Sequence, residues 1–288
     1  MTATLDPTTD ALAPEVLDPL IEAALAEDVG GGDLTSDAIL PPEMTCRGKI
    51  VCKQDGVVAG LPISERVFGL VDKRLQFDAK TEDGQKVQED QIVARLFGPA
   101  RSMLRAERVA LNFLQHLSGI ATLTAKYVKA VEGTKTEILD TRKTTPGLRA
   151  LEKYATRTGG AVNHRMGLYD QVLIKDTHLA LAAGVSPALR AVRKAHPEAP
   201  VNVEVSNLQE LEQALNDRAP RILLDNFAPG QVREAMQIIR GRAKVEISGG
   251  VLLTNARAYA LAGADYISVG ALTHSATALD FSLKVTRY

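Results

Sequence analysis

The spacing of hydrophobic and polar residues changes character near residue 118 of the chain. Before that point, apolar residues recur at helical spacing over residues 15–27 and 101–117. Between these helices, residues 49–53 and 75–78 have strand-like patterns, and each is followed by an Asp-Gly pair typical of a turn. The first third is therefore predicted to be a mixed α and β region, preceded by a flexible tail over residues 1–14.

After residue 118, short β-branched runs alternate with helical runs of roughly ten residues. This alternation predicts parallel βαβ units, which build either a barrel or a doubly wound sheet. No Gly-x-Gly-x-x-Gly motif follows the first strand, which argues against a dinucleotide-binding fold. The predicted strands cover residues 137–140, 171–174, 201–205, 221–224, 244–248 and 266–269.

The composition is that of a globular protein and argues against several other classes. Of 288 residues, 45% are hydrophobic and 24% are charged, and the formal net charge is −1. A nearly neutral chain without Trp has neither the basic field nor the stacking surface typical of nucleic-acid binding. We find no signal peptide and no apolar run of membrane-spanning length, about 20 residues. Cys46 and Cys52 lack metal-site spacing and are predicted to be buried and reduced, so the predicted location is the cytosol.

The predicted strands of the second region lead into charged, hydroxyl or glycine residues. In a parallel barrel, the carboxyl ends of the strands lie on one face, where the loops form the active site. We therefore expect a functional site that includes Asp140, Arg142, Lys143, Lys175, Glu204, Asp225, Ser248, Gly249 and Gly270.

The charges at this expected site are segregated along the chain. Residues 142–175 contain seven Lys or Arg and two acids, which suits the carboxylates of a substrate. Glu204 and Asp225 follow, and two such carboxylates can hold a divalent cation. The turns at 248–250 and at Gly270 expose backbone N–H groups that suit a phosphate. Phosphoribosyl transfer needs all three parts, because Mg²⁺ and Lys stabilise the pyrophosphate that leaves an oxocarbenium-like transition state.

Structural explanations stay open for part of this set. Asp140 and Asp225, at the ends of strands, could instead cap the helices that follow. Glu204 differs, because an unpaired carboxylate in an apolar strand is costly to bury and needs a partner. A further group recurs at helical spacing and is predicted to lie on a solvated helix face: Arg149, Lys153 and Arg157.

Several segments match the motifs of a known family, in order and at compatible spacings. They cover residues 27–35, 107–113, 140–149, 159–168, 173–178, 204–205, 224–227, 246–250 and 268–274. The most specific are Asp140-Thr-Arg-Lys143 and Asn163-His-Arg165. These segments resemble the quinolinate phosphoribosyltransferase family from about residue 15 to the C-terminus. Thr177 departs from the family, which usually has Asn there, and this puts one contact beside the site in doubt.

The resemblance implies an α/β fold with an N-terminal α/β sandwich domain and an incomplete parallel α/β barrel of the phosphoribosyltransferase II type. The two domains are predicted to cover residues 15–118 and 119–274, with residues 275–288 packing back on the first. The family also implies a homodimer in which the N-terminal domain of one subunit covers the barrel mouth of the other. Assembly beyond the dimer is left open.

The resemblance also implies roles for individual residues. Lys143, Glu204 and Asp225 would be catalytic, and the two acids would hold Mg²⁺ and the ribose hydroxyls. Quinolinate would be bound by Arg142, His164, Arg165 and Lys175, together with Arg108 from the partner subunit. Phosphoribosyl pyrophosphate would be bound by Lys143, Lys175, Glu204, Asp225, Ser248, Gly249, Gly270 and His274.

The implied reaction joins quinolinate (pyridine-2,3-dicarboxylate) to phosphoribosyl pyrophosphate and gives nicotinate mononucleotide, pyrophosphate and carbon dioxide, a step of NAD biosynthesis. One alternative is transfer to another acidic heterocycle, such as nicotinate, without decarboxylation. The number of cationic residues favours the dicarboxylate. A second alternative is a barrel that binds an anion without turnover, and the joint presence of Lys143, Glu204 and Asp225 argues against it.

Overall fold

The computed structural model describes residues 11–288, which form two compact units. The first unit contains the described residues up to 125 together with residues 145–160 and 275–288, and the second contains residues 126–144 and 161–274. Of the predicted tail, residues 1–10 lie outside the described part, and residues 11–13 form a turn and a bend before the first helix. In the part of the chain that is described, no helix is long and apolar enough to cross a membrane.

The described residues form twelve strands and eleven helices. The strands are β1 (Thr45–Cys52), β2 (Gly56–Val57), β3 (Gln76–Ala79), β4 (Lys86–Val87), β5 (Ile92–Pro99), β6 (Glu137–Leu139), β7 (Val172–Ile174), β8 (Val201–Val205), β9 (Arg221–Asp225), β10 (Lys244–Ser248), β11 (Tyr266–Ser268) and β12 (Phe281–Arg287). The helices are α1 (Pro14–Val29), α2 (Leu34–Ile39), α3 (Leu61–Val71), α4 (Ala100–Ala130), α5 (Arg149–Thr158), α6 (Asp176–Leu181), α7 (Val185–Ala195), α8 (Leu208–Asn216), α9 (Pro229–Ile239), α10 (Leu253–Leu261) and α11 (Ala271–His274).

The first unit is built on a four-stranded antiparallel sheet in the order β12-β1-β5-β3. Strand β12 pairs with β1 over seven residue pairs, from Phe281 opposite Cys52 to Arg287 opposite Cys46. The C-terminal strand is therefore an edge of the N-terminal sheet. Both cysteines are free and buried, as predicted.

Helix α4 is 31 residues long and continues through the predicted domain boundary at residues 118 and 119. Residues 145–160, which the sequence placed with the barrel, belong to the first unit. The reason is that Leu151 and Ala155 of α5 are part of the hydrophobic core of that unit. Lys153 on the same helix is only 2% exposed, so the predicted solvated face is wrong for this residue.

The second unit is a six-stranded parallel sheet in the order β6-β11-β10-β9-β8-β7. From β7 to β11, each strand pairs with the next strand in the chain, and helices connect them. Strands β6 and β7 are the two edges, and no pairing joins them within the described residues. The predicted incomplete parallel barrel is confirmed.

The two faces of this sheet carry different residues because side chains alternate along each strand. Val203, Ile222 and Val245 lie in register on one face and are 0% exposed. The other face carries acids from three neighbouring strands. Glu204 of β8 and Glu246 of β10 both pair with Leu223 of β9, which lies two positions before Asp225. This face therefore carries several acids, which lie between the middle and the carboxyl end of their strands.

Candidate active site

A cavity of about 390 Å³ lies at the carboxyl ends of the barrel strands. This volume is in the range of small-molecule sites, roughly 300–1,000 Å³. Eleven of the thirteen residues predicted for the site line it, all of them in the second unit: Arg142, Lys143, His164, Arg165, Lys175, Glu204, Asp225, Ser248, Gly249, Gly270 and His274. Their shared location is an observation, whereas their individual roles stay predictions. The other lining residues are Thr141, Leu173, Leu223, Glu246, Gly250, Val251, Leu252, Ser268, Val269 and Ala271.

Apart from Asp140, Arg108 is the one predicted residue that does not line this cavity. It lies on α4 in the first unit and is exposed. Its predicted role concerns the site of a partner subunit, which a single chain does not test. The role of Arg108 therefore stays a prediction.

A buried carboxylate shapes the loop on the basic side of the cavity. Asp140 follows β6 and is 0% exposed. It accepts hydrogen bonds from the Asn163 side-chain amide at 2.5 Å and from the His164 backbone N–H at 2.9 Å. It does not cap α5, whose N-cap is Leu148. Asp140 thus holds the segment that brings His164 to the cavity.

Two guanidinium groups form most of the positive charge on this side. Arg165 is 8% exposed and donates a hydrogen bond to the backbone carbonyl of Gln171 at 3.0 Å. Burial and then the neighbouring Arg142 lower the pKa of Arg165, because both disfavour a further positive charge there. The neighbouring guanidinium groups of Arg142 and Arg165 favour an anionic ligand, and their planar sets of N–H donors suit carboxylates.

Glu204 and Asp225 stand on neighbouring strands and form the acidic side. Burial raises the pKa of both groups. The charge of Asp225 raises the pKa of Glu204 further, and Asp176 has the same effect on Asp225. Asp225 does not cap α9, whose N-cap is Ala228. The repulsion between these carboxylates would be relieved by a bound cation.

The donor set at this position fits Mg²⁺ better than a metal that needs a complete protein cage. Among the described residues, no group of three or more His, Cys, Asp and Glu side chains could hold a metal ion. Mg²⁺ is usually bound through one or two carboxylates plus water and substrate phosphates. Glu204 and Asp225, with the glycine-rich turns in the same cavity, match that pattern.

The turn after β10 strongly favours glycine at its first position. Gly249 has φ +87°, and a Cβ atom there would lie 2.2 Å from Oδ1 of Asn226. Asn226 is itself fixed, because its side-chain amide donates to Asp225 at 2.7 Å and its backbone N–H donates to the Ser248 carbonyl at 2.9 Å. The turn leads into α10, and N–H groups at the start of a helix attract anions.

Gly270 brings two basic side chains together at the start of α11. A Cβ atom at this position would lie 3.0 Å from Cδ of Lys143 and 3.1 Å from Nε2 of His274. The Thr273 hydroxyl donates to the backbone carbonyl of Lys143 at 2.7 Å, which ties the loop after β6 to α11. Lys143 is thereby held beside the second glycine turn.

Sequence reasoning missed one buried acid that lines the cavity. Glu246 stands in the middle of β10 and is 0% exposed. A signal was present, because Glu246 alternates with Val245 and Ile247 in its strand as Glu204 does with Val203 and Val205. The same argument, that a carboxylate inside an apolar strand needs partners, applies to both residues.

The fold and the cavity define a class of protein. A parallel α/β barrel whose open end combines arginine residues, a carboxylate pair and glycine turns has the groups that an enzyme transferring a phosphorylated sugar requires. The chain matches the family models "Quinolinate phosphoribosyl transferase, N-terminal domain" over residues 33–118 and "Quinolinate phosphoribosyl transferase, C-terminal domain" over residues 120–284. It belongs to the quinolinate phosphoribosyltransferase family.

Individual relatives agree with this assignment. The chain is 47% identical over 271 residues to the carboxylating nicotinate-nucleotide pyrophosphorylase of Mycobacterium leprae, an alignment covering 91% of this chain and 95% of the relative. It is similar to the crystal structure of NadC from Streptococcus pyogenes, with TM-score 0.93, 41% identity and coverage of 96% and 98% of the two chains. The nicotinate-nucleotide pyrophosphorylase of Francisella tularensis gives TM-score 0.91 and 39% identity, with 94% and 96% covered. The predicted fold class is confirmed.

Proposed function

We propose that this protein transfers the phosphoribosyl group of phosphoribosyl pyrophosphate to quinolinate and releases pyrophosphate and carbon dioxide, which yields nicotinate mononucleotide. The observation that carries the proposal is that one cavity contains two arginines, a carboxylate pair and two glycine turns. A doubly carboxylated heterocycle matches the arginines, and a phosphorylated ribose matches the other groups. The names of the carboxylating relatives support the same reaction.

Arg142 and Arg165 would orient quinolinate. A guanidinium can bind a carboxylate through two parallel hydrogen bonds, so two of them fix both position and rotation of the pyridine ring. Such fixation directs the ring nitrogen toward C1 of the ribose and removes much of the entropic barrier. Lys175, at the end of β7, would add charge beside the two substrates.

The reaction then proceeds in three steps. The lone pair of the pyridine nitrogen forms a bond to C1, and the bond from C1 to the pyrophosphate oxygen breaks with its electrons on oxygen. The resulting pyridinium nitrogen stabilises the electron pair left at C2 when the bond to the 2-carboxylate breaks and carbon dioxide departs. A proton then adds to C2. Lys143, held by Gly270 and Thr273, would stabilise the charge of the leaving pyrophosphate.

The phosphate groups would be bound by backbone N–H groups around Ser248, Gly249 and Gly270, with His274 beside the last turn. Glu204 and Asp225 would hold Mg²⁺ and the ribose hydroxyls. When bound there, Mg²⁺ supplies positive charge that neutralises the pyrophosphate as it leaves. The raised pKa values of both carboxyl groups support this assignment, because a cation would stabilise their ionised forms.

Product analysis by mass spectrometry tests the reaction. The protein is mixed with phosphoribosyl pyrophosphate, Mg²⁺ and either quinolinate or nicotinate. We expect nicotinate mononucleotide from quinolinate alone, in amounts matched by pyrophosphate and carbon dioxide. Formation of the same product only from nicotinate would reassign the protein to the non-decarboxylating alternative. Binding of both ligands without formation of any product would indicate the second alternative, a barrel that binds anions without turnover.

The metal assignment can be tested apart from activity. Asp225→Asn removes one of the repelling charges, so the metal-free variant should have a higher melting temperature than the metal-free wild type. With phosphoribosyl pyrophosphate present, Mg²⁺ should raise the melting temperature of the wild type and have little effect on the variant. An equal Mg²⁺ effect on both proteins would remove Asp225 from the metal site.

We further propose a cytosolic homodimer in which Arg108 completes the site of the partner subunit. Two observations support the dimer: Arg108 is exposed and absent from the cavity of its own chain, and Leu34 and Ile39 on α2 are 89% and 70% exposed. Arg108→Ala and Arg142→Ala variants should each be inactive, and mixing them should restore part of the activity. Absence of restoration in confirmed mixed dimers would contradict a shared site.

A further inference from the structure

The carboxylate of Glu246 lies inside the barrel and has four polar partners. The Ser268 hydroxyl donates to it, the Asn202 side-chain amide donates at 2.6 Å, and the Arg221 guanidinium forms an ion pair at 2.8 Å. The fourth partner is Nε2 of His164, at 3.3 Å. Burial acts to raise the pKa of Glu246, but His164, Arg221 and Ser268 outweigh it, so the pKa is lowered and the group is anionic at neutral pH.

The ring of His164 is engaged at both nitrogens. Nδ1 accepts a hydrogen bond from the backbone N–H of Arg165 at 2.7 Å. An accepting nitrogen carries no proton, so the ring proton of the neutral side chain is on Nε2, which faces Glu246. The side chain is also only 7% exposed. Both ring nitrogens therefore have protein partners, and the side chain lines the cavity.

We propose that Glu246 and His164 form a positioning pair for the quinolinate subsite. In this pair, Glu246 fixes the tautomer and orientation of the His164 ring, and the ring fixes the backbone of Arg165, which lines the cavity. His164 thereby helps to hold Arg165 at the cavity. The identity of the substrate rests on the proposed function, whereas the tautomer of His164 does not.

A purely electrostatic role for Glu246 predicts the opposite effect on binding. Its negative charge partly neutralises the basic side of the cavity formed by Arg142 and Arg165. Removing that charge should tighten the binding of a dicarboxylate if charge alone mattered. Removing a positioning group should weaken it, because a small displacement of an orienting side chain is costly in rate and affinity. The sign of the change in quinolinate affinity separates the two roles.

Glu246→Gln is the informative substitution because it keeps the shape of the side chain. A carboxylate accepts on both oxygens, whereas an amide accepts on one side and donates on the other. The amide oxygen should face Arg221 and Asn202, which present donors. The amide NH₂ group of the glutamine then faces Nε2 of His164. Because this nitrogen also carries a hydrogen in the wild-type tautomer, two donors oppose each other and the hydrogen bond is lost.

A matched His164 variant tests whether Glu246 acts through this ring. His164→Asn keeps a side-chain oxygen that can accept from the Arg165 backbone N–H but does not extend to Glu246. We expect Glu246→Gln to raise the KM for quinolinate by about tenfold and to change the KM for phosphoribosyl pyrophosphate by less than about twofold. The double variant should bind quinolinate no more weakly than His164→Asn alone, since non-additivity indicates action through a shared partner.

A control separates positioning from loss of stability. Asp265 is another buried carboxylate, located just before β11, and it contacts Lys244 at 3.0 Å and Lys135 at 3.1 Å. It lies at the amino end of the strands and not among the residues of the cavity. Asp265→Asn should therefore lower the melting temperature without a selective change in the KM for quinolinate.

A spectroscopic readout makes the proposal independent of catalysis. In ¹⁵N spectra of histidine-labelled protein, the signals of His164 are identified by their loss in His164→Asn. The wild type should show an unprotonated Nδ1 and a protonated Nε2, and Glu246→Gln should change that pattern. The pair is refuted if the protonation pattern is unchanged or if quinolinate binds more tightly to Glu246→Gln. It is also refuted if the effects of Glu246→Gln and His164→Asn on quinolinate binding multiply in the double variant. An altered tautomer in a protein that makes no nicotinate mononucleotide would support the pair and refute only the proposed reaction.

Discussion

Substituting Gly249 and Gly250 one at a time separates backbone strain from steric conflict in the turn after β10. Both have positive φ, +87° and +62°, so alanine at either position is strained by about 1–2 kcal/mol. They differ in their surroundings. A Cβ atom at Gly249 would lie 2.2 Å from Oδ1 and 3.1 Å from the backbone nitrogen of Asn226, whereas at Gly250 nothing lies within 4 Å.

The added methyl group at position 249 must displace Asn226. That displacement breaks the hydrogen bond from Asn226 to the charged Asp225, now 2.7 Å long. A hydrogen bond to a charged group contributes about 1.5–3 kcal/mol. We therefore expect Gly250→Ala to lower the free energy of unfolding by about 1–2 kcal/mol and Gly249→Ala by about 2.5–5 kcal/mol.

Urea unfolding followed by circular dichroism measures both values, provided that the denaturant slopes agree between variants. Steady-state kinetics adds a second measurement, because displacement of Asn226 also disturbs Asp225. The KM for phosphoribosyl pyrophosphate should rise more in Gly249→Ala than in Gly250→Ala, and the KM for quinolinate should change little in either. Equal destabilisation by the two substitutions would refute the conclusion that Asn226 excludes a side chain at Gly249.

Two further predictions concern a lysine of the cavity and a buried carboxylate of the first unit. Lys143→Ala should keep the melting temperature but lower kcat by about a hundredfold or more, since it removes a cation from the leaving group. The exposed Lys194→Ala is the control, and wild-type kcat in Lys143→Ala would exclude Lys143 from the mechanism. Burial acts to raise the pKa of Glu152, but hydrogen bonds from His116 and the Thr145 backbone N–H outweigh it and lower the pKa below 4.5. The contribution of Glu152 to stability is thus present above pH 4.5 and is lost as the pH falls through the lowered pKa. Glu152→Gln should therefore be less stable than the wild type at pH 7 and should lose less stability on acidification. An acid-unfolding profile identical to that of the wild type would contradict this.

Much of the barrel follows from local sequence patterns. Each of its six strands was predicted from a short β-branched run. Side chains along a strand point alternately to the two faces of the sheet, so each strand has a recognisable pattern of residue types. The residues that follow the strands converge because parallel strands end on one face, whatever the details of packing. That topological rule is sufficient to collect Lys143, Lys175, Glu204 and Asp225 into one cavity.

The division of the chain into units depended on packing that local patterns do not encode. Residues 145–160 follow the first barrel strand, yet Leu151 and Ala155 lie in the core of the first unit. An amphipathic helix shows that it has an apolar face but not which core will bury that face. For the same reason, the burial of Lys153 could not be recognised from its spacing along the helix.

The sequence by itself determined the family, the alternation of strands and helices, and the set of polar residues at the open end of the barrel, because these depend on residue type and order. Only the tertiary structure decided how those residues contact one another. The partners of Glu246 come from β8, β9 and β11 and from the loop that carries His164. The conflict between Gly249 and Asn226 likewise depends on two loops meeting in space. Contacts between segments distant in the chain are set by the curvature and register of the sheet, which no single segment specifies.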